Sequence, residues 1–405
     1  MIFLKGDEKV EKIMIFTIAV AFVVSILFIG TSAAEVGKPA EEMNKEKVQS
    51  LIAEYFTETV QKDPKIHNAY LLVHSDKLGI HLNIAEGSTG SMPANARQPY
   101  FIASIGKLFT SVLISILVEK GMLSYEDTIT QFLDDDLLQN LHVYQGKDYT
   151  SQIKIRHLLN HTSGLHDYFE DKPEKGKPMV DILFDEPSRF WTPQETIQWS
   201  KEHLKSHFPP GKGFHYSDTG YHVLGLIIEK ITSTPFHEAL RHYIFQPLQM
   251  NHSYLPYYSE STVKSDNPVA DLYSGNTNVT QYRSLSIDYA GGGIVATSED
   301  LLKFMKALVK HEIIREDTFE KMKDWAKFSI GIDYGYGLMN FRTIPLLMPK
   351  KYNVWGNAGS IGSFMFYHPA TDIYLIGNLN QFRYDRKGIR LMFKVIDILS
   401  KCDGS

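Results

Sequence analysis

The stretch Tyr100-Phe101-Ile102-Ala103-Ser104-Ile105-Gly106-Lys107-Leu108-Phe109-Thr110-Ser111-Val112-Leu113-Ile114-Ser115-Ile116-Leu117-Val118 decides the fold. From Leu108 to Val118 nearly every position is apolar or small, and the run stops at Glu119-Lys120-Gly121. A basic residue followed by glycine is the usual C-terminal stop of a helix. A helix that is apolar all round must be buried all round. The stretch therefore predicts an internal helix between a sheet and a second helical layer, a scaffold able to hold a residue at its start rigidly.

The residue at that start is Ser104, with Lys107 three positions on. Residues i and i+3 of a helix share a face, so the lysine amine can reach the serine hydroxyl. A hydroxyl is a poor nucleophile until a neighbouring base takes its proton, and a desolvated lysine can be that base or bias another. The helix N-terminus adds N–H groups that favour developing negative charge. The same pattern occurs at Ser151-Gln152-Ile153-Lys154 and Ser261-Thr262-Val263-Lys264. Those two lead polar stretches, and only the first opens a long apolar helix directly after a strand end.

Working outward, apolar residues at helical spacing (Val48, Leu51, Ile52, Tyr55, Phe56) predict a helix over 48–60. The segments 69–74 and 79–84 flank Ser75-Asp76-Lys77-Leu78 as a hairpin. Helical pieces are expected at 153–159, 193–204, 220–231 and 235–245. Beyond Gly291-Gly292-Gly293, Thr297-Ser298-Glu299-Asp300 opens a capped helix through Val309. Strands are expected at 336–341, 363–367 and 373–379, and a closing helix at 389–399. The expected fold is α/β (α+β): an antiparallel sheet built from both chain ends, flanked by helices, with a mainly helical domain inserted. The expected boundaries are 46–118 with 291–401 for the sheet domain and 119–290 for the insert.

The 405 residues, 43% apolar and 22% charged, describe a globular chain with a large core. A net charge of -5 leaves no sustained basic surface, which argues against a nucleic-acid partner. Cys402 is the only cysteine, so neither an internal disulfide nor a multi-cysteine metal site exists. At the front, Ile13 to Gly30 is almost unbroken apolar sequence followed by Thr31-Ser32-Ala33-Ala34, where Ser32 and Ala34 suit cleavage before Glu35. Residues 1–34 are thus expected to be a signal peptide or a retained membrane anchor, with 35–45 a linker. Either outcome places the folded part outside the cell or on the outer face of its membrane.

Two further elements carry chemistry. Phe214-His215-Tyr216-Ser217-Asp218-Thr219-Gly220-Tyr221 is a polar turn before an apolar helix. A tyrosine there is a candidate general base if a nearby cation lowers its pKa, or simply a ring packed at a helix entry with Ser217 or Asp218 as cap. Trp355-Gly356-Asn357-Ala358-Gly359-Ser360-Ile361-Gly362-Ser363 is glycine-rich beside a strand. It is either a plain turn or a place of close backbone approach by a ligand.

Taken in this order, the three elements resemble the serine β-lactamase-like family with the penicillin-binding-protein fold, on the side of class C β-lactamases, D,D-carboxypeptidases and esterases. Ile155-Arg156-His157-Leu158-Leu159-Asn160-His161-Thr162-Ser163-Gly164-Leu165 and Gly291-Gly292-Gly293-Ile294-Val295-Ala296-Thr297 add to the likeness. The resemblance implies Ser104 as nucleophile, Lys107 as its activating amine and Tyr216 as proton shuttle. It implies an oxyanion hole of the Ser104 and Ser360 backbone N–H groups, substrate contacts at Asp218, Asn357 and Gly359, and no cofactor. The implied activity is hydrolysis of an ester, amide or D-amino-acid peptide through an acyl-enzyme, with a small molecule or a cell-wall peptide as partner.

Two departures stand out. The family usually has asparagine where this chain has Asp218, and lysine or histidine where it has Asn357. Without a cation at Asn357 a substrate carboxylate loses its ion pair, so weak or absent β-lactamase activity is expected. Asp218 beside Lys107 should favour the charged amine and move proton acceptance toward Tyr216. The rival reading is a non-catalytic or trapped sensor of the same fold that binds penicillin or cell-wall peptide. Histidines four apart (His157 and His161, His203 and His207) lack an intervening glutamate and are read as structural or surface residues, so no metal is expected.

Overall fold

The computed structural model describes residues 43–345 and 348–402. The expected signal or anchor over 1–34 lies outside the described residues, as does the linker as far as residue 42. The end of that linker is already part of the fold. Met43 N–H donates to the Lys401 carbonyl at 2.9 Å, and Asn44 caps the first helix by accepting from Lys47 N–H at 2.9 Å. Among the described residues no helix is long and apolar enough to cross a membrane.

Helix α1 (Lys45–Gln61) buries Val48, Ile52, Phe56 and Val60, one residue per turn. Strands β1 (Asn68–Ser75), β2 (Ile80–Thr89) and β3 (Met92–Pro93) follow, and Gly79 takes the left-handed φ of 61° that the β1–β2 turn requires. The apolar run forms α2 (Gly106–Glu119). The middle of the chain carries α3 (Pro193–His203), opened by a Thr192–Glu195 capping box, and α4 (Asp218–Thr232), capped by Ser217, whose Oγ accepts from Gly220 N–H at 3.1 Å. Then come α5 (Ser298–Val309), β4 (Ala326–Ser329), β5 (Ile332–Tyr334), β6 (Met339–Phe341), β7 (Val354–Ala358), β8 (Phe364–His368), β9 (Ile373–Asn378) and α6 (Asp385–Leu399).

The strands make one antiparallel sheet in the order β4-β5-β6-β7-β8-β9-β1-β2-β3, so the first strands close onto the last. Tyr70 of β1 stands opposite Asn378 on one side and Ala85 on the other. Side chains alternate across a strand. Leu71, Val73, Leu375 and Phe366 accordingly pack with α1 and α6, while Tyr70, Leu72, Met365 and Ile376 face α2, α5 and the helical region. Between residues 120 and 290 the described residues form helices, turns and two isolated two-residue ladders. Every residue of α2 from Gly106 to Leu117 is buried, as an all-round apolar helix demands.

Several boundaries differ from the sequence reading for local reasons. The strand expected from Tyr336 starts only at Met339, because Gly337 turns with φ 66° and Tyr336 N–H is taken by the Met322 carbonyl at 2.8 Å. The helix expected over 235–245 is α-helical only for Phe236–Leu240 and continues as a π-turn over Arg241–Phe245. The helix expected from Ile153 begins at Ile155. Strands β4 and β5 were not expected: they are short, and β4 is half-exposed, so alternation carries little signal there.

The helical region buries neutral histidines. Burial lowers His166 to about 4, and burial with the nearby Lys107 charge lowers His222 to about 3. In the unfolded chain both protonate near their ordinary 6.5. The unfolded state thus binds more protons below that pH, and stability falls as pH drops from about 6.5 toward 4. Each group removes up to about 1.4 kcal/mol per pH unit in that window. The melting temperature should therefore decline from pH 7 to 4.5, less steeply in His222→Gln; a flat profile in the wild type would contradict this.

Candidate active site

Ser104 sits in a 3-10 turn (Ala103–Ile105) that runs into α2, so its side chain is fixed at the N-terminus of the buried helix. Ala103 just before it holds φ 49°, a left-handed conformation for a residue with a Cβ. Such backbone strain costs about 1–3 kcal/mol and persists only where the surroundings enforce it. Here they do. A Cβ on Gly292 would stand 2.7 Å from the Ala103 carbonyl carbon, and one on Gly359 would stand 2.8 Å from Ala103 Cβ. The glycines let two segments, one before α5 and one after β7, press against the serine turn.

Lys107 is fully buried one turn below. Its amine has three acceptors: Ser104 Oγ at 3.4 Å, the Gly291 carbonyl at 2.7 Å, and the Asp218 carboxylate, with which it makes a buried ion pair. Burying a cation among apolar side chains is tolerated only when it is paired and hydrogen-bonded. Asp218 meets this need as the first residue of α4.

Tyr216 closes the group. Its ring centroid lies 4.9 Å from Lys107 Nζ, and Ser104 is a polar neighbour of its hydroxyl. Burial first, and the Asp218 charge second, hold the phenol well above its ordinary pKa, while the neighbouring Ser104 draws it back. The condition set for a general base, a cation that lowers this tyrosine, is not met: desolvation and then Asp218 raise it, and Tyr216 rests as a phenol. His161 packs on Tyr216 with ring centroids 4.2 Å apart, and its Nδ1 accepts from Ser217 N–H at 3.1 Å. Burial, then Lys107, keeps His161 well below its ordinary value, so it is a neutral prop for the tyrosine turn.

Ser104, Tyr216, Asp218, Gly359 and Ser360 line one cleft of about 920 Å³ above the buried Lys107. Asn357 does not line it. The Asn357 side chain is 1% exposed, donates to the Gly337 carbonyl at 2.8 Å and to Tyr334 Oη at 3.3 Å, and accepts from Ala358 N–H at 2.7 Å. Its amide is committed inward, so it ties β7 to the Gly337 turn instead of facing a substrate. The motif triplets at Ser151 and Ser261 lie elsewhere and do not line this cleft.

Three acidic groups near the serine were missed from sequence. Asp167 is buried, accepts from Asp218 N–H at 3.1 Å through Oδ1, and has no partner for Oδ2. Burial and then Asp218 raise it well above the usual carboxylate range. Asp288 is raised to about 7 by burial and Asp218, against the pull of Lys107. Glu170 stands on the same wall and is raised by burial. The run ending at Gly164-Leu165 pointed to the neighbourhood of Asp167; nothing in the sequence singled out Asp288.

The beta-lactamase family model matches residues 56–395, a span that contains the whole cleft. The chain belongs to the beta-lactamase family. It is 28% identical over 270 residues to a penicillin-binding protein of Bacillus subtilis strain 168, a match covering 62% of this chain and 54% of that protein. The chain thus spans about half the length of the curated relatives it matches first. Among solved structures it is similar to a D-stereospecific amidohydrolase from Streptomyces sp. (TM-score 0.69, 24% identity, 85% of this chain and 98% of that one). It is also similar to EstCE1, a hydrolase with promiscuous acyltransferase activity (TM-score 0.71, 18% identity, 87% of this chain and 99% of that one). Both likenesses are of fold. This beta-lactamase-family chain therefore has the serine-hydrolase fold.

A test of the packing follows. Gly292→Ala places a methyl against the Ala103 carbonyl, and overpacking costs about 1–3 kcal/mol. Labelling of the protein by a fluorophosphonate should slow at least about tenfold, since 1.36 kcal/mol is a factor of ten. The circular dichroism spectrum should stay unchanged; an unaltered labelling rate would show that the serine turn does not depend on this contact.

Proposed function

We propose that the chain hydrolyses ester or amide bonds of small acyl donors, D-amino-acid derivatives among them, through an acyl-enzyme on Ser104, with β-lactam turnover weak or absent. The observation that carries the reading is the placement of the Ser104 hydroxyl between the Lys107 amine and the Tyr216 phenol in a single cleft. A pure binding site has no need of a base beside a hydroxyl, which disfavours the trapped-sensor reading.

An ammonium that donates three bonds has no lone pair to take a proton. In this reading Lys107 first passes a proton to Asp218 along their direct contact, and the neutral amine then accepts the Ser104 proton as Oγ attacks the substrate carbonyl. The backbone N–H groups of Ser104 and Ser360 receive the oxyanion. As the tetrahedral intermediate collapses, Tyr216 gives its phenolic proton to the leaving alcohol or amine and is reprotonated through Lys107. Water then attacks the ester carbonyl by the same route, returning Ser104 and the acid. Asp218 acts on the base, not as a substrate contact, and Gly359 admits the strand backbone close to the acyl group.

The cleft wall supports the substrate class. The committed amide of Asn357 supplies no cation for the carboxylate that penicillins and cephalosporins carry, and Asp218 stands on the same wall; the cations that line the cleft, Arg383 and Arg386, lie on a different segment. A side pocket of about 40 Å³ shares Ala103, Phe169, Asp288 and Ser360 with the cleft and is otherwise lined by apolar residues such as Leu183, Phe184 and Phe382. Since one water needs roughly 10–15 Å³ by this measure, the pocket takes about three heavy atoms, a short apolar acyl side chain. The apolar run at 13–30, read as an export signal or anchor, supports action outside the cytoplasm.

A panel of short-chain p-nitrophenyl esters, D-alanyl amides and nitrocefin, run on wild type and Ser104→Ala, tests the reading. Ester or amide turnover is expected to exceed nitrocefin turnover by at least about a hundredfold, equivalent to about 2.7 kcal/mol, and to vanish in the variant. Stoichiometric acylation without turnover would establish the sensor, and turnover that survives Ser104→Ala would end the proposal.

A further inference from the structure

His207, His215 and Asp171 converge beside the cleft although they come from different turns and none was singled out together by sequence. His207 Nε2 lies 2.8 Å and His215 Nε2 3.2 Å from the same oxygen, Asp171 Oδ2, and all three ligand atoms fall within 4.8 Å of one another. The backbone is built to hold them. His207 N–H donates to the Gly164 carbonyl at 2.8 Å, His215 N–H to the His161 carbonyl at 3.0 Å, and Asp171 N–H to the Asp167 carbonyl at 3.1 Å. One short segment, 161–167, therefore anchors every member.

Hydrogen bonding alone accounts poorly for the arrangement. Asp171 Oδ2 also accepts from Asp167 N–H at 2.8 Å, so three donors crowd an oxygen with two lone pairs. The imidazoles are stacked with centroids 3.4 Å apart, so both present Nε2 to the same side. Two imidazoles with Nε2 aimed at one carboxylate make up the three protein ligands of a common divalent-metal site. In a tetrahedral zinc site with ligand bonds of about 2.0–2.1 Å, neighbouring ligand atoms stand about 3.3 Å apart, close to the spacings here.

We propose that His207 Nε2, His215 Nε2 and an Asp171 carboxylate oxygen bind a divalent first-row cation of the zinc type, with water as a fourth ligand. Coordination requires the stacked rings to splay, and His207, the exposed partner on a loop, has room to swing. The sequence reading of no metal considered only histidines four apart. Neither pair stays together at one site: His203 Nδ1 bonds the Trp199 carbonyl, away from His207, and His161 packs on Tyr216. The useful spacing is His207 to His215, with Asp171 from a distant turn. The cation serves as a clip: it joins the loop carrying His215, and hence the adjacent Tyr216, to the 161–171 segment, and it takes no part in bond making at Ser104.

The test is titration of the chelator-treated full chain with zinc chloride, read by calorimetry and by melting temperature. One equivalent is expected to bind at micromolar or tighter affinity and to raise the melting temperature. His207→Ala should lose at least a hundredfold in affinity and all of the thermal shift, whereas His203→Ala, an exposed histidine on α3, should keep both. Absence of stoichiometric binding by the wild type, or equal binding by His207→Ala, would overturn the proposal. Neither outcome depends on the hydrolytic reading, because no substrate enters the measurement.

Discussion

A single buried cation organises this molecule. Lys107 lies inside a helix whose other buried residues are apolar or small, where an unpaired ammonium would carry a desolvation penalty of several kcal/mol. Three segments remote in sequence converge to satisfy it: Ser104 from its own turn, Asp218 from the start of α4, and the Gly291 carbonyl from the glycine run before α5. The need to satisfy that amine places the start of α4 and the glycine run before α5 against the same serine. Structure and site are thus one constraint seen twice.

The constraint works only because backbones can come close. Gly292 and Gly359 face the serine turn, and Gly291 the Asp218 carboxylate, at distances that no Cβ would permit, and the turn itself stores strain at Ala103. Strain of this kind exposes Ser104 at the top of a rigid helix while its neighbours stay buried. The electrostatics follow from the same crowding. Asp218 stabilises the amine yet adds to the effect of burial in raising Tyr216, Asp167 and Asp288 around it.

How much of this was legible follows from what each signal measures. The burial of α2 could be read because an apolar face on every side admits one environment, and the sheet from both chain ends could be read because the hairpin and the late strands are long and patterned. Strands β4 and β5 escaped because three or four residues at a half-exposed edge leave no alternation to see. At the site, Ser104, Lys107 and Tyr216 stand where local motifs put them. Asn357 shows the limit of motif reading: its place on β7 was legible, but the direction of its amide depends on Gly337 and Tyr334, twenty or more residues away. Asp167 and Asp288 escaped for the same reason, since their meaning comes from Asp218 across the fold.

The central claim is that the convergence on Lys107 makes Ser104 a covalent nucleophile. Its most direct measurement is acid-quench mass spectrometry of the protein during turnover of a p-nitrophenyl ester, with the adduct located by proteolysis. The account predicts a transient acyl mass on the peptide containing Ser104, rising and decaying at the rates of the catalytic cycle. An acyl group found on any other residue, or turnover with no adduct at all, would contradict it.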